Sequence, residues 1–236
     1  MENIHAERQK LLAQIEALAD EAHRAGMQMA VPTGLKMYGL RVPQIRDLAK
    51  AWSREHKAVE RAELWALFEA LWAGDSREEL MLASELLQRY KRWIPQLEWA
   101  QFDRWRRRLD NWEVTDSLGQ RILGPWMLND PESRVAYLYD LIQDEDVWSR
   151  RLALVTTTWL NRGRKDLSFP DVTLELVDRV KSERHPMITK AVSWALRELT
   201  KKHVDVVARY LDANTEMLAP HVVREVRSKL ETGRKN

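Results

Sequence analysis

The sequence predicts an all-α protein, folded as a HEAT-like helical-repeat solenoid. Signals for β-strands are almost absent, because glycine-rich turns are missing and β-branched runs are short. Apolar residues recur instead at three- and four-residue steps, in segments broken by proline or polar turns. A weak internal repeat places similar helix cores near Ala83, Leu118, Ala153 and Ala191, at spacings of 35, 35 and 38 residues. Such spacings are typical of stacked pairs of antiparallel helices.

The helical segments begin and end at recognisable signals. Proline or polar turns separate the segments, and two of the segments begin at Pro131 and Pro186. Asp110 is the predicted N-cap of the helix that follows it, and Glu113 completes a capping-box-like spacing. The predicted helices are Glu2–Ala25, Val42–Glu55, Arg61–Ala73, Ser76–Lys91, Ile94–Arg108, Asn111–Leu123, Pro131–Gln143, Val147–Arg162, Val172–Lys181, Pro186–Lys202, Asp205–Leu211 and Glu216–Glu231.

The length of 236 residues allows one elongated domain or two small ones. The loop Gly163–Pro170 is the best candidate for a linker, but it is too short to separate two domains. We therefore expect one domain over residues 1–236.

Composition excludes several classes of protein. The chain has no cysteine, which excludes disulfides, thiolate zinc sites and a cysteine nucleophile, and which suits a reducing cytoplasm. The charged N-terminus does not resemble a signal peptide, and no apolar run reaches the roughly 18 residues needed to cross a bilayer. We therefore expect a cytoplasmic protein with no membrane partner.

Cofactor motifs are also missing. The six histidines lack metal-ligand spacing, and neither a phosphate-binding loop nor a serine-hydrolase motif is present. We expect no metal and no cofactor. Because the net charge is only +2, any surface that binds anions must come from local segregation of charge.

One tryptophan lies off the apolar side of its helix. The apolar stripe of the segment Pro186–Lys202 consists of Ile188, Val192, Ala195 and Leu199. At about 100° per residue, Trp194 falls on the polar side instead. Three cations share that side with it: Lys190, Arg197 and Lys201. A large aromatic flanked by cations favours a surface that binds nucleic acid.

A second helix repeats the arrangement. In Asn111–Leu123, Val114 and Leu118 share one side, whereas Trp112 and Asp116, four residues apart, share the opposite side. For this pair alone, a solvent-facing tryptophan beside an acid without function is an equally good interpretation. Two helices with a tryptophan on the polar side favour a shared role.

Two indoles and one carboxylate point to the chemistry of a cationic sugar. Indole faces attract cations and polarised C–H bonds, and a carboxylate stabilises developing positive charge or orients a water molecule. A sugar that becomes an oxocarbenium ion needs this combination. A conventional glycosidase uses two carboxylates, so one is enough only where the leaving group already carries a positive charge.

Arginines near these helices are candidate phosphate ligands. In the helix Val147–Arg162, the stripe of Trp148, Leu152, Val155 and Trp159 is expected in the core. Arg151 lies off the centre of this stripe, where its side chain could reach a phosphate. A solvated side chain or a salt bridge between repeats is an equally good interpretation. Arg108 ends a basic run just before Trp112; such runs are usually solvated, but its position favours contact with a nucleic-acid backbone.

Four segments carry a family resemblance. They are G-L-R-V-P-Q-I-R at 39–46, which is similar to a G-[IV]-x-x-P-x-x-R signature, N-W-E-V-T-D-S at 111–117, V-W-S-R-R-L-A at 147–153 and K-A-V-S-W-A-L-R-E at 190–198. Over most of its length the chain resembles the AlkD-type DNA alkylation repair enzymes, a family of HEAT-like-repeat DNA glycosylases.

The resemblance implies a C-shaped solenoid with a basic concave groove for duplex DNA. The implied activity is that of a monofunctional glycosylase in base excision repair, which hydrolyses the N-glycosidic bond of cationic 3-methyladenine and 7-methylguanine. The implied partner is duplex DNA containing alkylated purines, bound by a monomer. Trp112 and Trp194 would pack against the deoxyribose of the lesion, and Asp116 would stabilise the oxocarbenium ion and position water. Arg151 matches an arginine that contacts the DNA backbone.

The N-terminal part of the implied groove departs from the family pattern. The stretch Met27–Met37 does not match, and Arg41 stands where the family carries a glutamine, which makes Arg41 a candidate DNA contact. Two other functions therefore stay open. The first is a structure-selective protein of the same fold that binds branched DNA without catalysis, and the second is a HEAT-type protein-binding scaffold.

Overall fold

The computed structural model describes residues 4–164 and 166–234. Over these residues the chain consists of helices and turns, apart from one isolated β-bridge between Lys36 and Ser76. The all-α helical-repeat class expected from the sequence is confirmed. None of the helices in these ranges combines the length and the apolar composition needed to span a membrane. The chain divides into two compact units, Met1–Ile122 and Leu123–Asn236, so the single domain over residues 1–236 stays a prediction.

Unit 1 is built around one buried helix. Helices α3, α4 and α7 pack against α5, and α1 packs against α3 and α4. A 3-10 turn at Lys91–Gln96 joins α5 to α6, and a π-helical turn at Gly119–Leu123 follows α7. The helices are α1 (Ile4–Ala17), α2 (Glu21–Ala30), α3 (Val42–Glu55), α4 (Arg61–Trp72), α5 (Arg77–Arg89), α6 (Trp99–Arg106) and α7 (Trp112–Leu118).

Unit 2 has two layers of helices. In one layer α11 packs against α13 and α13 against α15; in the other α10 packs against α12, while α14 lies against α13 and α15. Within the unit, α8 packs against α11 and α9. The helices are α8 (Gly124–Asn129), α9 (Pro131–Arg134), α10 (Ala136–Ile142), α11 (Val147–Arg162), α12 (Pro170–Val180), α13 (Pro186–Leu199), α14 (Val204–Asn214) and α15 (Pro220–Thr232).

The repeat detected in the sequence is visible in the packing of both units. The four repeat positions, Ala83, Leu118, Ala153 and Ala191, are all completely buried. Hydrogen bonds also join side chains roughly one repeat apart. Pairs 36 residues apart are Arg77 with Glu113, Arg89 with Ser53 and Tyr139 with Glu175, and Ser193 with Glu225 is 32 apart. Successive repeats are therefore held together by polar contacts as well as by their apolar cores.

Several predicted boundaries are wrong. Glu2 and Asn3 of the predicted helix Glu2–Ala25 lie outside the described residues. The rest of that range forms parts of two helices, because the Asp20 side chain accepts a hydrogen bond from the His23 backbone N–H at 2.9 Å and starts α2 there. The predicted helix Pro131–Gln143 is divided into α9 and α10, and the short helix α8 was not predicted.

The core role predicted for the two tryptophans of α11 is also corrected. Leu152 and Val155 are buried, but Trp148 and Trp159 are only partly so. Trp159 lies over Gly124 and beside Gly163, where a Cβ atom would approach its side chain to 2.7 and 2.8 Å. Its indole therefore covers the surface of α8 instead of entering the core.

Gly39 is the position in unit 1 where only glycine fits the backbone. Its φ is +82°, and an added Cβ would lie 2.2 Å from the Asp20 carbonyl oxygen and 2.9 Å from the Arg24 backbone nitrogen. The backbone N–H groups of Gly39 and Leu40 donate to the Glu78 carboxylate at 3.1 and 3.2 Å. This turn therefore depends on glycine to place α3.

We expect Gly39→Ala to lower the free energy of unfolding by at least about 2 kcal/mol, because the left-handed backbone and the contact with Asp20 both become strained. Gly26→Ala is the matched control, since Gly26 lies inside α2 with open space around it. There we expect a gain of about 0.5–1 kcal/mol. Urea denaturation measures both changes, and equal effects at the two glycines would contradict this account.

Candidate functional site

Helix α7 is capped and anchored at its N-terminus. The Asn111 side chain caps it, since Oδ1 accepts a hydrogen bond from the Val114 backbone N–H at 3.0 Å. The predicted N-cap, Asp110, is therefore wrong by one residue. The Asp110 carboxylate instead accepts hydrogen bonds from the Thr33 hydroxyl and the Gly34 backbone N–H, each at 2.7 Å. The loop after α2 thus holds the start of α7.

Trp112 has an orientation fixed by the N-terminal part of the chain. Its indole Nε1–H donates to the Ala30 carbonyl oxygen at 2.8 Å. Its ring packs against a small apolar cluster formed by Met27, Val31 and Met37. The stretch that departs from the family pattern is therefore the stretch that positions this tryptophan. The side chain remains partly exposed.

Asp116 follows Trp112 by one turn on the same side of α7. Both residues are partly exposed, whereas Val114 and Leu118 on the opposite side are completely buried. The structure thus gives this pair the accessible side that the periodicity predicts. The catalytic role of the pair stays a prediction.

A buried arginine ties α7 to the rest of unit 1. The Arg77 side chain is 1% exposed, and its Nε donates to the Glu113 carboxylate at 2.7 Å. Its Nη1 donates to the Leu40 carbonyl oxygen at 3.0 Å and to Glu78 Oε1 at 3.1 Å. One side chain therefore links α5, α7 and the chain that enters α3. Glu113, expected in a capping box, serves this contact instead.

Trp194 lies on α13 in unit 2. Its neighbours Ser193 and Ala195 are completely buried, but Trp194 itself is partly exposed, as the periodicity predicts. Among the residues that the structure describes, none accepts a hydrogen bond from its indole N–H. The indole N–H of Trp112 donates to the Ala30 carbonyl oxygen, whereas the indole N–H of Trp194 donates to no described residue. Because the two tryptophans belong to different units, their convergence stays a prediction.

The cations beside Trp194 differ in availability. Lys190 is exposed, and no acidic side chain within the described ranges lies within 4.0 Å of its ammonium group. Lys201 Nζ pairs with Glu198 Oε1 at 2.7 Å, and Arg197 Nε lies 3.6 Å from Glu225 Oε2. Burial lowers the pKa of Arg197, and Glu225 opposes that shift. Lys190 is therefore the better candidate for a phosphate contact.

Arg151 is more enclosed than its sequence position indicates. The residue is only 5% exposed, and Nη1 donates to the Met187 carbonyl oxygen in the first turn of α13 at 2.7 Å. This bond joins α11 to α13. The sequence left open a salt bridge between repeats for Arg151, and the structure shows a contact between repeats whose acceptor is a carbonyl group and not an acid. A phosphate contact by Arg151 stays a prediction.

The two candidates in unit 1 also have partners. Arg108 Nη2 donates to the Gly74 carbonyl oxygen at 2.7 Å, which fixes the end of α6 against the loop before α5. Arg41 Nη1 lies 2.9 Å from Asp20 Oδ2, with the Arg41 side chain 55% exposed. The His23 backbone N–H and the Arg41 guanidinium both lower the pKa of Asp20. Arg41 is therefore the more accessible of the two.

The chemistry available on the accessible side of α7 is that of a carboxylate beside one indole ring. Within residues 4–164 and 166–234, no group of three or more histidine or acidic side chains is arranged to hold a metal ion. Sequence reasoning missed the contacts that position α7, namely the Ala30 carbonyl, Thr33 and Arg77. A backbone carbonyl has no sequence signature, but Arg77 stands directly after Ser76, which caps α5, and that position was a detectable signal.

A sequence model of the DNA alkylation repair enzyme family matches residues 11–230. The chain belongs to this family. The match covers both units, and it confirms the resemblance inferred from the four sequence segments.

Solved structures of DNA alkylation repair proteins share the fold. A predicted DNA alkylation repair enzyme from Enterococcus faecalis is 18% identical, with a TM-score of 0.64 over 92% of this chain and 98% of that one. AlkD2 from Streptococcus mutans is 16% identical, with a TM-score of 0.56 over 80% and 90%. The alkylpurine DNA glycosylase AlkC from Pseudomonas fluorescens, bound to DNA containing an abasic site analogue, is 18% identical, with a TM-score of 0.50 over 96% and 64%. No significant match was found among curated protein sequences.

Proposed function

We propose that this chain is a monofunctional DNA glycosylase that removes cationic alkylpurines, of the 3-methyladenine and 7-methylguanine type, from duplex DNA. The observation that carries the proposal is the partly exposed side of α7, where Asp116 lies one turn from Trp112. That helix is held rigidly by Arg77 and Asp110, as a site that must stabilise a transition state requires. Trp194 is a second, partly exposed indole in unit 2, and we propose the same role for it.

The proposed reaction needs one carboxylate and water. The N9–C1′ bond breaks first, and the base leaves with the bonding electron pair, so that the cationic purine becomes neutral. Positive charge moves to the deoxyribose as an oxocarbenium ion, which Asp116 stabilises through its negative charge and the two indoles through their faces. Water then adds to C1′ and gives up a proton to Asp116, which passes it to solvent.

The alkyl group on the purine explains why no acid is needed. A neutral purine is a poor leaving group until it is protonated, and that step requires an acid such as a second carboxyl group. A 7-methylated or 3-methylated purine already carries the positive charge. We therefore assign the specificity of the enzyme to the charge of the lesion, without a pocket that reads the base.

The relatives support the proposal. AlkC is described as an alkylpurine DNA glycosylase bound to DNA with an abasic site analogue, and the family name refers to repair of alkylated DNA. We extend this activity to the present chain, with Lys190 and Arg41 as exposed phosphate contacts. The buried Arg151 and the tethered Arg108 keep the helices in place through the Met187 and Gly74 carbonyl groups, and we propose both as secondary DNA contacts.

The proposal is tested by incubating the purified protein with methylated duplex DNA and identifying the released bases by chromatography. We expect 7-methylguanine and 3-methyladenine in amounts well above spontaneous loss, with no metal added. A band-shift assay on duplex and four-way-junction DNA runs beside it. Tight junction binding without base release would favour the non-catalytic DNA-binding protein, and weak binding with little salt dependence would favour the protein scaffold.

A further inference from the structure

Unit 1 contains an open, strongly basic cavity that the proposed reaction does not use. Its volume is about 740 Å³. Its lining includes one acid, Glu85, and six cationic residues. The cations are Arg46, Lys57, Arg89, Lys91, Arg92 and Arg121. We call this feature the Arg89 cavity.

The cavity forms where α3 and α5 end side by side. Arg46 Nε pairs with Glu85 Oε1 at 3.2 Å, and Arg89 Nε donates to Ser53 Oγ at 3.3 Å, so the two helices run in the same direction. Tyr90 ends α5, and its hydroxyl donates to the His56 carbonyl oxygen at 2.8 Å. The chain then turns sharply and presents consecutive cations to solvent. The sequence signal is the basic and aromatic run R-Y-K-R-W at 89–93.

The cations are only partly neutralised. Glu85 is shared by Arg46 and by Arg121, whose Nη2 lies 2.9 Å from the carboxylate. Within the described part of the chain, no acid lies within 4.0 Å of the charged groups of the other four, and Arg92 instead covers the Trp93 ring at 4.3 Å. Because the whole chain carries a net charge of only +2, this cavity concentrates positive charge far above the average.

The lining suits phosphate groups and not a base. The one aromatic side chain that lines the cavity, Tyr90, is 5% exposed and stacks on Trp93, so no free ring is offered to a base. The cavity is large enough for more than one phosphate, and its open form suits a chain that passes through it. Arg121 lies five residues after Asp116, which connects the cavity directly to the end of the site helix.

We propose that the Arg89 cavity binds the phosphodiester backbone of DNA outside the α7 site and supplies affinity, while the chemistry stays with α7. This inference rests on the proposed function, because it assumes a DNA substrate. Exposed Lys57, Arg89 and Lys91 make the phosphate contacts, and Arg46 and Arg121, held by Glu85, form the wall behind them.

The test is a full-length variant in which Lys57, Arg89 and Lys91 are all changed to Gln. We expect its affinity for a methylated duplex to fall at least about tenfold near 0.1 M salt. The plot of log binding constant against log salt concentration has a negative slope, and its magnitude should become smaller by about 2–3. Base release at saturating protein should stay within about twofold of wild type. The matched control changes Lys10, Arg104 and Arg107 to Gln, since these exposed cations already pair with acids.

The outcomes separate the alternatives. Unchanged affinity and salt slope in the cavity variant would overturn the proposal, and so would an equal loss in the control, which would indicate a general charge effect. If wild type releases no base, the proposed function fails, while the affinities and salt slopes still decide the role of the cavity.

Discussion

Asp116→Asn is expected to slow release of 7-methylguanine from methylated duplex DNA by about 10²–10³-fold, because the substitution removes the charge that stabilises the oxocarbenium ion. Asparagine keeps the size of the side chain, so the affinity for DNA should change by less than about threefold. Single-turnover release, with protein in excess over DNA, measures the chemical step, and a band shift on the same duplex measures binding.

A surface acid provides the matched control for this prediction. Asp140 is exposed on α10 in the other unit, so Asp140→Asn makes the same chemical change without touching α7. Its release rate should equal that of wild type. Wild-type rates in Asp116→Asn would contradict the role of this carboxylate, and a parallel loss of DNA affinity would show that Asp116 holds α7 in place.

Arg77→Met is expected to have the largest effect on stability, a loss of about 3–5 kcal/mol in the free energy of unfolding. The substitution leaves the buried Glu78 carboxylate and the nearly buried Glu113 carboxylate without their shared cation. It also removes the bond to the Leu40 carbonyl that connects α5 to the start of α3. Urea denaturation followed by tryptophan fluorescence measures the loss.

An exposed arginine separates this effect from a general loss of charge. Arg107 is 68% exposed and pairs with Asp103 at 2.8 Å, so Arg107→Met should cost less than about 1 kcal/mol. If both substitutions had the same small effect, Arg77 would not be the link that positions α7. At urea concentrations just below those that unfold the variant, Arg77→Met should also lower base release, because α7 loses its anchor at Glu113.

The features that sequence periodicity predicted correctly are those that depend on local spacing. The buried sides of α5, α7, α11 and α13 follow from residues such as Ala83 and Leu118 that recur at helical steps and at the repeat length. The partly exposed positions of Trp112 and Trp194 follow from the same spacing.

The features that could not be predicted depend on partners far away in sequence. Trp112 is positioned by the backbone carbonyl of Ala30, and Arg151 is buried by that of Met187, and neither acceptor has a side-chain signature. The sequence predicts Asp110 as the N-cap, but Asn111 is an equally good capping residue and caps α7. The Asp110 carboxylate instead accepts a hydrogen bond from the Thr33 hydroxyl. Local propensity therefore yields to contacts between repeats at these positions.

The decisive measurement is the identity of the base released from three otherwise identical duplexes, which carry a single 7-methylguanine, 8-oxoguanine or uracil. A site with one carboxylate and no acid to protonate the leaving group should release only the cationic base. We expect release of 7-methylguanine, with an abasic site left in the duplex, and no release of the two neutral bases above background. Comparable release of a neutral base, or no release of 7-methylguanine from a duplex that the protein binds, would contradict it.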